Sequence, residues 1–198
     1  MVKTPGFSGG KKVVIVGNSG VGKTSIICKY LDRTEISRTT VGASSFKLSI
    51  PVNGKSINFA FWDTAGQENY KSLVPVYARG ATIAIITFSL VDPNSFEAVP
   101  NWLSYLRDDI GVKNFVLVGN KSDLESTVPL DIIQDFSHKE HIPIVNVSAV
   151  TGENVDMLFY NIASAIFDIE KNGENPVTIK RVSPLLEYEN KAKSSDCC

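Results

Sequence analysis

The sequence is short of several things, and each shortage excludes something. It holds three cysteines in 198 residues, Cys28, Cys197 and Cys198, too few for a disulfide framework. That fits a reducing compartment such as the cytosol. Cys28, within an apolar helix-like stretch, reads as a small buried hydrophobe. No apolar run approaches the roughly 20 residues needed to cross a bilayer. The formal net charge is −1, so no overall field draws the chain to nucleic acid or to an anionic membrane, and no nucleic-acid partner is expected. The opening residues, MVKTPGFSGGKK, carry no apolar stretch of the kind a secretory signal needs. They also lack a glycine at position 2, which argues against myristoylation. Histidine is scarce too: His138 and His141 stand near an expected helix end and read as surface residues, not ligands. No internal repeat is visible.

What is present is an ordinary globular composition, 43% hydrophobic and 21% charged, in a chain long enough for one domain with a real core. Lys11–Gly17 (KKVVIVG), Ala81–Leu90 (ATIAIITFSL), Phe115–Gly119 (FVLVG) and Ile142–Val147 (IPIVNV) read as buried strands. Phe46–Val52 and Ser56–Trp62 flank Asn53-Gly54, the strongest short-range hairpin signal, because a type I′ turn needs positive φ at both centres. Pro51 cannot donate a ladder hydrogen bond and puts the first of these strands at an edge. Helices are expected over Thr24–Leu31, from Pro93 onward along the stripe Phe96, Val99, Leu103, Leu106 and Ile110, over Leu130–Glu140, and along Val155, Leu158, Phe159, Ile162, Ile166 and Ile169. The expectation is an α/β fold: a six-stranded, mostly parallel sheet with one antiparallel edge strand and about five surrounding helices. Residues 1–10 form a flexible start, 11–170 the domain, and 171–198 a flexible tail with no sustained period.

The chemistry lies after the strands, where open α/β sheets bind ligands. Gly17-Asn-Ser-Gly-Val-Gly-Lys-Thr24 fits G-x-x-x-x-G-K-[ST] between a strand and a helix. Its glycines let successive N–H groups turn inward on an anion, and the helix N-terminus adds partial positive charge. Ser19, Gly20, Val21, Gly22, Lys23, Thr24 and Ser25 are therefore candidate phosphate contacts. Lys23 reaches the terminal phosphates and the Thr24 hydroxyl takes Mg²⁺. This motif alone leaves ATPases, kinases and GTPases open. Asp63, at a strand end, suits the Mg²⁺ environment. Gly66 allows close approach to a γ-phosphate, and the Gln67 amide can orient an attacking water as the catalytic residue.

The base is chosen further along. After FVLVG come Asn120, Lys121, Ser122 and Asp123. Guanine presents two adjacent donors that one carboxylate can accept; adenine would leave that carboxylate unpaired. Asp123 is the candidate for that role. The Lys121 stem can lie over the base, and Asn120 can tie the loop to the phosphate loop. After the next strand, Ser148, Ala149 and Val150 offer a backbone N–H to guanine O6.

Taken together, GNSGVGKTS, WDTAGQE, NKSD and the SA of VSAVTG resemble the nucleotide motifs of the Ras superfamily of small GTPases, and YARGA (Tyr77–Ala81) is similar to the Rab family's signature. The resemblance covers roughly residues 10–170. It implies a P-loop small GTPase fold and a GTP-hydrolysing switch for vesicle traffic, slow without an activating protein. It also implies a ligand, GTP or GDP, and Mg²⁺ held by Thr24, Thr40 and Asp63. In the family, Thr40 also senses the γ-phosphate. The switch loops would be roughly Thr34–Ser45 and Gly66–Ala78. The expected partners are a nucleotide exchange factor, a GTPase-activating protein, a GDP-dissociation inhibitor or escort protein, and effectors reading Phe46, Trp62 and Tyr77; the GTPase itself is expected to be a monomer. Cys197-Cys198 resembles a Rab ending that takes two geranylgeranyl groups. The implied location is cytosol and the cytoplasmic face of intracellular membranes, with a faint lean to the endosomal branch. A scaffold that binds nucleotide without turnover and a P-loop kinase or ATPase are the alternatives. Intact Lys23, Thr40 and Gln67 oppose the first and NKSD the second.

Departures from the Rab pattern also carry expectations. Asp32–Thr39 contains no Phe or Tyr to pack edge-on against the base, and the segment between Thr24 and Thr40 is slightly short for a Rab, so faster nucleotide exchange is expected. Asn69 stands where Rabs usually carry Arg. Phe46 stands one residue later than the usual Rab phenylalanine, so that Ser45 aligns with it. From Lys171 to Cys198 five basic residues face four acidic ones, no polybasic patch. Stable anchoring takes two signals, so both would have to be lipid.

Overall fold

A computed structural model describes residues 11–32, 43–64 and 73–172. The sheet has six strands: β1 (Lys11–Val16), β2 (Ala43–Val52), β3 (Lys55–Thr64), β4 (Ile83–Ser89), β5 (Phe115–Asn120) and β6 (Ile144–Val147), in the order β2-β3-β1-β4-β5-β6. All neighbours pair in parallel except β2 with β3. The expected sheet, with its one antiparallel edge strand, is what forms.

The strands differ in pattern because they differ in place. β4 and β5 lie inside the sheet and every residue of both is buried. Strands covered on both faces read as continuous apolar runs for this reason. β2 lies at the edge, and its second half alternates, with Leu48, Ile50 and Val52 buried between exposed neighbours. Pro51 sits on that edge opposite Ser56, where a missing N–H matters least. The hairpin turn has φ 49° at Asn53 and φ 75° at Gly54, the two left-handed residues of the expected turn.

Alternation along each strand divides the core in two. Val13, Ile15, Ile83, Ile85, Val116 and Val118 face one helical layer, with α1 (Lys23–Tyr30) and α6 (Val155–Asn172). Val14, Val16, Ala84, Ile86, Phe88 and Leu117 face the other. That second layer holds α2 (Val74–Ala78), α3 (Pro93–Glu97), α4 (Val99–Ser104) and α5 (Leu130–Glu140). In the first layer Tyr30 stacks on Phe159 at 3.9 Å between centroids and 17° between planes, clamping α1 to α6. Such a pair contributes about 1 kcal/mol beyond its buried area. Among the described residues, no helix is long and apolar enough to cross a membrane.

One expectation needs correction. The stripe from Phe96 to Ile110 predicts a single helix, but the structure has α3, then α4, then a π-helical turn over Tyr105–Asp109. Pro100 explains the first break: it has no N–H for the Phe96 carbonyl, and its ring crowds that turn. The face itself survives. Val99, Leu103 and Leu106 after the break are buried, and Phe96 before it packs against the same cluster. At the carboxyl end of the described residues, α6 spans Val155–Asn172.

Candidate functional site

Five strands, all but edge strand β2, run parallel, and their carboxyl ends meet along one edge of the sheet. The phosphate-loop candidates leave β1 there, Asp63 is the penultimate residue of β3, Asn120 closes β5, and Ser148 follows β6. Chain topology thus collects residues more than 120 positions apart into one rim.

At the phosphate end, Lys23 opens α1 and is buried, at 5% exposure. Its Nζ donates to the Gly17 carbonyl at 2.8 Å and to the Asn18 carbonyl at 2.9 Å. Burial holds its pKa down to about 8 from the ordinary 10.5, while the charge of Asp63 pulls the other way. A buried ammonium facing neutral carbonyls is poorly compensated, and a nearby anion would relieve it. The neighbouring Thr24 Oγ1 donates to Asp63 Oδ2 at 2.6 Å, joining β3 to the start of α1. The next residue, Thr64, donates through Oγ1 to the Ile15 carbonyl at 2.7 Å and pins the end of β3 to β1. Asp63 is 1% exposed, so its carboxylate is positioned by the sheet and not by solvent.

At the base end the bonds are neutral or surface-facing and interlocked. Asn120 Nδ2 donates to the Val21 carbonyl at 2.8 Å, the tie between the two loops that the sequence predicts. The same side chain accepts from the Ala149 N–H at 3.1 Å through Oδ1. That N–H, read from sequence as facing guanine O6, here meets Asn120. Ser148 Oγ donates to Asp123 Oδ1 at 2.6 Å and accepts from the Val150 and Thr151 N–H groups at 3.2 and 3.0 Å. Lys121 takes φ 69°, which folds the loop back on itself. Gly22 shows why no larger residue serves there: its φ is 94°, and an added Cβ would run into Asn120 Nδ2. Glycine at this point lets the base loop and the phosphate loop touch.

The effector-surface candidates separate. Trp62 and Tyr77 stack, with centroids 5.8 Å apart and planes at 28°. Lys12 Nζ lies 4.9 Å from the Trp62 ring and donates to the Arg79 carbonyl at 3.1 Å, and its burial lowers its pKa. Phe46 does not join them. It pairs with Phe61 across the β2–β3 ladder, and both belong to the layer of α1 and α6. Ser45 is the residue opposite Trp62. Because side chains alternate with a period of two, a shift of one position moves a residue to the other face of the sheet. Phe46 as a partner of Trp62 and Tyr77 is therefore corrected.

Thr40, Gly66, Gln67, Cys197 and Cys198 lie outside the described residues, as does Asn69. Ser19 and Gly20 are exposed on the phosphate loop, Val21 is buried, Ser25 is half-buried, and Val150 is 75% exposed beside the base-end loop. The sequence reading missed one bond at this rim: Trp102 Nε1 of α4 donates to Asn18 Oδ1 at 3.1 Å. Trp102 falls between the stripe positions Val99 and Leu103. Its signal was the indole N–H, which needs a partner when buried.

Comparison with known proteins agrees with this geometry. The Ras family model matches residues 12–168. The chain is 35% identical over 193 residues to the Ras-related protein RABF2b of Arabidopsis thaliana, covering 94% of each chain. It is 37% identical over 164 residues to the Ras-related protein YPTC6 of Chlamydomonas reinhardtii, covering 80% of this chain and 76% of that one. It is 34% identical over 205 residues to the Ras-related protein RABA4b of Arabidopsis thaliana, covering 94% and 91%. The chain belongs to the Ras family as a Rab-type small GTPase, a GTP-hydrolysing switch of vesicle traffic.

Proposed function

We propose the following division of labour within this GTPase. Gly17–Ser25 cradles the phosphates of GTP or GDP, with Lys23 against the terminal ones. Asp123 accepts the paired donors of guanine, with Lys121 over the base plane and Ser148–Val150 along its edge. Gln67 orients the attacking water, Gly66 lies against the γ-phosphate, and Thr40 senses it. The observation that carries this reading is the chain of bonds from Asp123 through Ser148, and from Ala149 through Asn120, to Val21. It joins a guanine-selective carboxylate to an anion-binding loop in one rim.

The donor set at Thr24 and Asp63, a hydroxyl oxygen and a carboxylate oxygen 2.6 Å apart, suits a hard divalent cation. Thr24, Asp63 and Thr40 are the residues proposed to hold Mg²⁺. When bound, the ion neutralises charge that develops on the phosphate oxygens. The domain is proposed to span 11–170, with 171–198 as a tether to Cys197 and Cys198. Two geranylgeranyl groups there would supply the two signals that stable anchoring needs, in a tail without a polybasic patch. Exchange factor, activating protein, escort and effectors are the proposed partners. Endosomal membranes are the proposed site of action.

The direct test is the base. Asp123→Asn replaces a two-point acceptor by one donor and one acceptor, which suits the C2 carbonyl of xanthine better than the 2-amino group of guanine. Competition binding should show GTP affinity falling about a hundredfold, the loss expected when charged hydrogen bonds are removed from a polar site, with XTP gaining. Unchanged preference for GTP would overturn the assignment of Asp123. For the tether, Cys197→Ser with Cys198→Ser should leave GTP binding intact and release the protein from membranes on fractionation. Continued membrane association would refute it.

A further inference from the structure

We propose that Trp102 is a positioning residue for nucleotide retention, acting through Asn18. Trp102 lies in α4 and is 6% exposed, so its indole N–H requires a partner inside the protein. The partner is Asn18 Oδ1, 84 residues away in sequence and part of the phosphate loop. The main chain of the same Asn18 supplies one of the two carbonyls that hold Lys23. Asn18 is thus fixed at two points: its side chain by α4 and its carbonyl by the ammonium. Freeing the first point lets the peptide that carries the second rotate, and Lys23 loses a defined position.

The ring end of Trp102 makes the bond more than a local tie. It shares a buried cluster with Val74 and Ala78 of α2, the helix at the far end of the expected second switch segment. Closely packed interiors transmit displacement. A partner that moves α2 therefore disturbs the buried cluster to which the indole belongs. The π-helical turn at Tyr105–Asp109 follows immediately after α4, and such turns are frequent at functional positions. The proposal rests on reading Gly17–Thr24 as the phosphate loop.

The experiment measures release of labelled GDP from the full chain. Trp102→Phe keeps a large ring and removes the N–H; Asn18→Ala removes the acceptor. Each should speed release by roughly threefold to tenfold, the effect of one hydrogen bond. The double variant should release no faster than the faster single one, because both break the same bond. In a ¹⁵N spectrum the Trp102 indole resonance, told from that of Trp62 by its loss in Trp102→Phe, should shift in Asn18→Ala while Trp62 stays in place. Release within twofold of wild type in both singles, effects that multiply in the double, or an unmoved Trp102 resonance would each overturn the proposal. If Trp102→Phe does not fold, Asn18→Ala, in a partly exposed loop, carries the test alone through its release rate and the Trp102 resonance. A wild-type protein that failed to bind GDP would instead overturn the phosphate-loop reading itself.

Discussion

The two ends of the nucleotide rim are built on different principles. At the base end, Asn120 and Ser148 satisfy one another's neighbours: Val21 carbonyl, Ala149, Val150 and Thr151 N–H groups, and one oxygen of Asp123. Among the described residues, nothing buried there is an uncompensated charge. At the phosphate end, among the described residues, a buried ammonium is held by carbonyls, with a carboxylate near enough to raise its pKa but not to restore it. The base end is a finished network that a ligand joins. The phosphate end is a stored imbalance that an anion relieves. Selectivity and grip are thereby separated, and the separation can be tested by variants that should move stability and affinity in opposite ways.

Lys23→Ala should have the largest effect. Removing a charge-assisted contact to phosphate from a buried site is expected to weaken GDP binding by a hundredfold or more, since such groups are worth about 3 kcal/mol or above. The nucleotide-free protein should not be destabilised to match, because a desolvated charge has gone. Binding by competition and thermal unfolding of the free protein check both halves. A free protein that loses as much stability as affinity would show that Lys23 is a structural residue and would break the contrast.

Asn120→Ala should behave the other way. It leaves the Val21 carbonyl and the Ala149 N–H without their partner, at a cost of about 2 kcal/mol to the free protein. Denaturant unfolding of the nucleotide-free form should show that loss. Equal stability of Asn120→Ala and wild type would mean the base end is not the preformed network described.

The third effect is on pH. With Lys23 at about 8 in the free protein, the ammonium is increasingly neutral above that value. Bound phosphate favours the charged form, so binding takes up a proton there and affinity falls as pH rises past 8. The fall can reach at most about tenfold per pH unit. Stability of the free protein runs oppositely. A lysine whose folded pKa lies below its unfolded value binds more protons when unfolded between about 8 and 10.5, so folding gains stability with rising pH across that window. Lys23→Arg, which stays charged, should flatten both slopes. A wild-type affinity flat from pH 7.5 to 9.5 would contradict the depressed ammonium.

Much of this was legible in the sequence, and what was not follows from physical causes. The mostly parallel sheet followed from apolar, largely β-branched runs separated by helical stripes, and the hairpin from Asn53-Gly54, because those signals are local. The rim residues were legible because topology sends every parallel strand's end to the same edge. The break before α4 was written in Pro100 but hidden by a stripe that stayed in phase across it. The offset of Phe46 by one residue was visible in the motif alignment, but that it puts the ring on the other face of the sheet is shown by its pairing with Phe61. The Trp102–Asn18 bond was invisible because it joins positions 84 apart through the tertiary fold alone.

The smallest effect tests the comparison most finely. Ser148 is buried, donates to Asp123 and takes the N–H groups of Val150 and Thr151, yet touches no charge of the phosphate end. Ser148→Ala should therefore loosen Asp123 without altering Lys23. GDP affinity should fall by roughly threefold to tenfold, the scale of one hydrogen bond. Discrimination of guanine against hypoxanthine, which lacks the 2-amino group, should narrow, since Asp123 is the group that reads that amine. The dependence of affinity on pH should keep the wild-type shape and only shift in height. A changed slope above pH 8 would mean that the two ends share one electrostatic network, joined through Asn120 and Val21. A parallel curve would mean that Asn120 carries position between the loops and no charge.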